Sequence, residues 1–144
     1  DSGEQWDAWS AMWSAVDPAT RLPRPMFDSL TGTIDKGVVR NAWSRYDIAA
    51  RVRADPMRHI PVLRERVRLL CGARDSFFLD RGVQGLRDAV AEASAAMEAK
   101  GQMLPQGPGY IELVPEETHD TMAVSAMLRW NVEMREYLKA NKLD

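Results

Sequence analysis

Arg66-Val67-Arg68-Leu69-Leu70-Cys71-Gly72-Ala73-Arg74-Asp75 is the stretch whose reading decides the fold. From Val67 to Cys71 valine and leucine dominate without clean alternation, the pattern of a strand covered on both faces, which is usual in parallel sheets. Gly72 opens a turn, and the turn ends on the carboxylate of Asp75. The same plan recurs in Gly109-Tyr110-Ile111-Glu112-Leu113-Val114-Pro115-Glu116-Glu117-Thr118-His119, where a second short run, Tyr110–Val114, ends in a turn and then an imidazole. Between the runs, Asp80 is placed to cap a long helix with Val83, Leu86, Val90, Ala93 and Met97 along one face. Gly101 ends that helix, and 105–109 is a loop rich in proline and glycine. Met127, Trp130, Met134 and Tyr137 line a last helix that runs to about Lys139. Strand, helix, strand, helix at this spacing is a right-handed crossover unit with helices covering the sheet. The expected class is α/β, with about two parallel strands near 66–71 and 110–114 and helices dominating.

Upstream, Trp6, Trp9, Trp13 and Val16 recur at the spacing of one helical face. Asp17-Pro18 ends this helix, and Pro23 and Pro25 are expected to keep the segment to Leu30 extended. A second helix is predicted from Asp35, with Val39, Ala42, Trp43 and Tyr46 inward. Asp47 caps a shorter helix carrying Ile48 and Val52, and Asp55-Pro56 has the cap and first-position residues of another. The 144 residues are enough for one domain with a sizeable core. Within it, 1–64 reads as a helical, lid-like part and 65–144 as the crossover unit carrying the acid and the histidine.

With 19 Lys+Arg against 21 Asp+Glu the net charge is −2, so no global field draws the chain to nucleic acid or to an anionic membrane surface. No apolar run approaches the roughly 20 residues that span a bilayer, and a soluble, cytoplasmic protein is expected. Cys71, the single cysteine, lies in a predicted strand and reads as a small core residue. Two histidines and one cysteine, far apart, form no zinc ligand set. The 107–109 turn lacks the glycine spacing of a phosphate cradle. No cofactor is expected. His59 reads as a surface residue close enough to Asp55 to pair. Arg64, Arg66 and Arg68 read as solvated or capping charges, and Arg74 as adjacent to a possible anion.

In open α/β sheets the chemistry gathers beyond the C-terminal ends of the strands. Asp75 and His119 both lie just past such ends, on neighbouring parallel strands, so the two side chains are expected on one rim. There a carboxylate would set the tautomer of the imidazole and stabilise its protonated form, while the imidazole takes a proton from a serine. The nucleophile itself is not evident. No Gly-x-Ser-x-Gly occurs, and no strand precedes Ser2 to build a strained elbow.

Gly72-Ala73-Arg74-Asp75-Ser76-Phe77-Phe78-Leu79 resembles the Gly-x-x-Asp-x-[Tyr/Phe]-[Tyr/Phe]-Leu segment of serine esterases of the esterase D-like group in the α/β-hydrolase superfamily. Pro25 to Asp35, with Trp43 and Tyr46-Asp47, is similar to the stretch those proteins carry before their penultimate strand. The resemblance runs from about Asp1 to His119. It implies the C-terminal part of an α/β-hydrolase fold, with Asp75 as triad acid, His119 as triad base and a small carboxylic ester as substrate. It also implies a serine supplied by an N-terminal half, to which Asp1-Ser2-Gly3 would connect. The Trp-rich helices would then form part of a lid. A chain so cut would expose the edge of the strand at 67–71, and self-association through that edge or the Trp6/Trp9/Trp13 face is expected. The alternative reading is a non-catalytic domain that binds a partner protein through the tryptophan face.

Overall fold

The computed structural model describes residues Gly3 to Leu143, with side chains from Asp7 onward. Ser2 and the side chain of Trp6, both named above, lie outside the described residues. The rest forms two compact units, one up to Arg51 and one from Val52.

In the first unit, α1 (Gly3–Trp13) ends before Val16, which bridges Pro23 in an isolated antiparallel pair. The segment from Asp17 to Leu30 turns at its two ends, while the proline stretch between them is extended as expected, with Pro23 and Phe27 each in an isolated antiparallel bridge. The Asp17 carboxylate accepts the amides of Ala19 and Thr20 at 2.9 and 3.0 Å, and Asp28 those of Leu30 and Thr31 at 2.8 and 2.9 Å. Short acidic side chains that bond the backbone two and three residues on make turns of this kind. Asp35 caps α2 (Lys36–Val38) through the amides of Gly37 and Val38. The helix continues as a π turn, Val39–Trp43, and a 3-10 turn, Ser44–Tyr46. Val38 and Ala42 are the buried pair, where Val39 and Tyr46 were expected inward. The wider π turn rotates the face that a regular α-helix would present. Trp13 lies edge-on to Tyr46 with 4.7 Å between ring centroids, and Trp9 is half exposed.

The boundary between units falls inside α3 (Ile48–Ala54), whose first turn is capped by Asp47. In the second unit Asp55 caps α4 (Pro56–Arg66) by accepting the amide of Arg58, with Pro56 at the first helical position. Asp55 thus serves the helix and not His59. Ile60 is fully buried where α4 packs on α5 (Leu79–Ala99), so α4 belongs with the crossover unit and not with the helices before it. Strand β1 (Arg68–Gly72) pairs in parallel with β2 (Tyr110–Val114), in register from Arg68 opposite Tyr110 to Gly72 opposite Val114. The chain is thus a mixed α/β structure, mostly helical, with a two-stranded parallel sheet. Leu86, Ala93 and Met97 are buried along α5 as expected, whereas Val83 and Val90 are only half-buried and Ala89 and Ser94 complete the inner stripe. Gly101, at φ 72°, receives the end of that helix in the left-handed region that glycine adopts freely.

Helix α6 (His119–Ala140) departs from expectation. Its buried residues are Met122 and Ala126, whereas Met127, Trp130, Met134 and Tyr137 are 41 to 58 % exposed. The face of α6 that meets the sheet is largely ionic. Arg129 grips both oxygens of Glu112 at 2.6 and 3.1 Å, and also bonds Glu133 at 2.9 Å. Glu133 in turn holds Arg68 at 3.0 Å and accepts the Tyr110 hydroxyl at 3.0 Å. Arg68, Tyr110 and Glu112 point to the same side of the sheet because paired positions of a parallel ladder share a face. Their polar ends select a polar partner surface, to which Trp130 adds its indole N–H donating to the Tyr110 hydroxyl at 3.1 Å, and leave Met127, Met134 and Tyr137 more than half exposed. None of the described helices is long and apolar enough to cross a membrane.

Candidate active site

Asp75 and His119 are brought together by two backbone junctions. The turn after β1 is joined to the turn after β2 by Ala73 N–H donating to the Val114 carbonyl and Arg74 N–H to that of Glu117, each at 2.9 Å. Gly72 makes this approach possible. A Cβ there would stand 2.7 Å from the Glu117 carbonyl carbon and 2.8 Å from the Thr118 oxygen, both backbone atoms that cannot swing aside. Thr118 then caps α6 reciprocally. Its hydroxyl accepts the Thr121 amide, and the Thr121 hydroxyl accepts the Thr118 amide at 2.9 Å. His119, the first residue of α6, is thereby fixed in direction.

Nδ1 of His119 lies 3.0 Å from Oδ2 of Asp75, within the range of a hydrogen bond. The other carboxylate oxygen, Oδ1, accepts the amide of Phe77 at 2.8 Å and that of Leu79 at 3.3 Å. Asp75 is buried, with 7 % of its surface exposed, whereas the His119 side chain is 41 % exposed. Burial raises the Asp75 carboxyl's pKa, but the bond from His119 and the two amides outweigh it and hold the group below its usual value. A carboxylate at Nδ1 selects the tautomer with its proton there and leaves the Nε2 lone pair to accept a proton from another molecule. The pair stands on an open rim, where an imidazole held in this way can take a proton at Nε2. Its acid is sealed from water and its imidazole is not.

The same carboxylate accounts for the start of α5. Asp80 was expected to cap this helix, but the cap and the helix start fall two residues earlier. Phe78 sits at its N-cap with φ 60° and supplies no side-chain bond. Asp75 takes the free amide of Leu79 instead, so one side chain both orients the histidine and caps the helix. Asp80 lies in the first turn, and its Oδ1 is buried without a partner among the described residues.

Phe77, two residues after the acid, is the site residue that spacing alone misses. Its ring centroid is 4.5 Å from that of His119. The aromatic pair at 77–78 was the available signal, but nothing in its spacing says which ring turns toward the imidazole. Arg74 pairs with Glu116 at 2.7 Å, both well exposed, and so has a partner other than an anionic ligand. Cys71 is buried in β1, where burial first, and the carboxylates of Asp75 and Asp80 second, push its thiol pKa up and away from the reactive thiolate. Among the described residues no group of three or more His, Cys, Asp or Glu could hold a metal ion. Among the described residues, the serine hydroxyls that form hydrogen bonds do so elsewhere, Ser14 to the Arg24 carbonyl, Ser44 to that of Arg40, Ser94 to Arg64 and Ser125 to Glu117, and none bonds His119. Comparison with protein-family models, with curated proteins and with solved structures found no match to this chain.

Proposed function

We propose that Asp75 and His119 are the acid and base of a Ser-His-Asp triad in a hydrolase of carboxylic esters, and that the unit from Val52 is the closing portion of an α/β-hydrolase fold. The observation that carries this reading is the 3.0 Å contact between Asp75 Oδ2 and His119 Nδ1, placed just beyond the C-terminal ends of two parallel strands. In the reaction, Nε2 of His119 takes the proton of a serine hydroxyl as its oxygen attacks the ester carbonyl. Asp75 stabilises the imidazolium that forms. The imidazolium then gives the proton to the departing alcohol, leaving an acyl-serine that water, activated by the same Nε2, hydrolyses. No cofactor takes part. The serine comes from a segment outside these 144 residues, the partner half of the same enzyme, and the 144-residue chain alone is expected to hydrolyse esters no faster than free imidazole does.

Two measurements test the proposal. In the 144-residue chain, ring nitrogen NMR should show His119 as the Nδ1–H tautomer at neutral pH, and Asp75→Asn should lose that preference. In an enzyme that joins this chain to its serine-bearing segment, Asp75→Asn should lower kcat by about 10⁴ with little change in KM. A small effect there, or rapid acyl transfer by the isolated chain, would overturn the triad assignment.

A second reading, partner binding, is favoured by the exposed stripe of Met127, Trp130, Met134 and Tyr137 on α6. It beckons an apolar cover, since patches of this kind mark interaction surfaces. Sedimentation across a concentration series separates self-association from a strictly monomeric chain.

A further inference from the structure

Three consecutive large apolar side chains follow the buried acid, and all three face solvent. Phe77 is 65 % exposed, Phe78 62 % and Leu79 52 %. A run of this kind at the mouth of a site is an apolar patch with a position to explain. Its geometry is fixed by the acid itself, since Asp75 Oδ1 holds the amides on either side of Phe78. Phe78 is kept at φ 60°, a conformation that bulky residues rarely adopt. Phe77 lies against the imidazole with its ring tilted by 56°. The imidazole of His119 therefore has an aromatic ring beside it.

Resting on the reading of Asp75 and His119 as acid and base, we infer that Phe77, Phe78 and Leu79 are the wall that receives the acyl chain of the substrate, and that this chain is uncharged and apolar. The surrounding charge points the same way. Asp80 and Asp120 stand in the first turns of α5 and α6, and Glu116 and Glu117 in the turn before His119. Of the nearby cations, Arg74 is paired with Glu116, and Arg81 lies over the Phe78 ring at 4.7 Å. An acyl chain ending in a carboxylate would meet net negative charge on this rim and lose hydration against the rings.

The test uses the 144-residue chain and three soluble esters: methyl acetate, methyl hexanoate and monomethyl adipate, the last a six-carbon chain that ends in a carboxylate. Ring and amide NMR shifts are followed in a titration with each. A buried methylene is worth about fourfold in affinity, and on a wall open to one side roughly twofold, so four more of them predict roughly fifteenfold tighter binding of the hexanoate than of the acetate. The shifts should centre on Phe77, Phe78, Leu79 and the His119 ring, and the adipate ester should bind at least about tenfold more weakly than the hexanoate. Phe77→Ala should erase the preference for the longer chain. Phe77→Leu, which keeps an apolar side chain, should restore most of it and guards against a folding defect. Equal binding of acetate and hexanoate, shifts confined to the α6 stripe, or tighter binding of the adipate ester through Arg81 would each overturn the wall. The triad reading stands or falls separately, on the tautomer of His119.

Discussion

Replacing Gly72 by alanine tests whether the meeting of acid and base depends on one close approach of backbone to backbone. The new methyl carbon would lie 2.7 Å from the Glu117 carbonyl carbon and 2.8 Å from the Thr118 oxygen, whereas carbon atoms in comfortable contact stand about 3.5 to 4 Å apart. The end of β1 and the turn before α6 must therefore part by about 0.8 to 1.3 Å. Thr118 directly precedes His119, so a displacement of that size carries the 3.0 Å contact between Nδ1 and Oδ2 to about 4 Å, beyond a hydrogen bond. The steric term alone should destabilise the fold by about 1 to 3 kcal/mol, the usual effect of overpacking a buried site. Urea unfolding reads the first consequence, and the His119 tautomer reads the second. Gly82→Ala and Gly85→Ala are the controls. Both glycines lie within α5 with no atom near the position a Cβ would take, so each change should stabilise by roughly 0.5 to 1 kcal/mol. A Gly72→Ala chain as stable as the parent, with the Nδ1–H tautomer intact, would refute the reasoning.

Other expectations concern the same region and the core beneath it. The Asp75 carboxyl is lowered in the folded chain, so the unfolded chain binds its proton first as pH falls. Its contribution to stability is complete above the ordinary carboxyl value of 3.8 and is lost as pH falls through the lower folded value. The difference in unfolding midpoint between the parent and Asp75→Asn should accordingly shrink on acidification from about pH 5 to pH 2. Phe78→Gly should raise stability by about 1 kcal/mol, because glycine adopts φ 60° without strain; calorimetry showing a lower Tm would contradict this. Ile60→Ala, at a fully buried position between α4 and α5, should cost about 2 to 5 kcal/mol in urea unfolding.

The strands, the crossover helix and the helix starts at Asp35, Asp47 and Asp55 were legible because each rests on a local signal: short apolar runs bounded by turns, helical periodicity, a capping carboxylate before a free amide. The acid and the imidazole were legible as candidates for a different reason, since the ends of neighbouring parallel strands fall on one rim. Asp80 misled because a capping side chain is recognised by its place before a helix, whereas the left-handed residue at Phe78 let a carboxylate three positions before the N-cap reach the first amide. The inner face of α6 misled because apolar residues were taken to point inward. Which side of a helix meets a sheet depends on what the strands present, and Arg68, Tyr110 and Glu112 present charge and hydroxyl. The role of Gly72 is invisible in any single segment, being a distance between two turns far apart in the chain.

A carboxylate has two oxygens, and Asp75 has committed both, one to an imidazole and the other to the opening amides of α5. Charge alone does not define this position. Glutamate carries the same charge on an arm longer by one methylene, and it could reach the ring only by letting go of the helix, or keep the helix only by turning away from the ring. Arm length is thus the criterion that any acceptable residue at 75 must meet, and aspartate, of the two natural acids, is the one whose reach lets a single group serve both tasks.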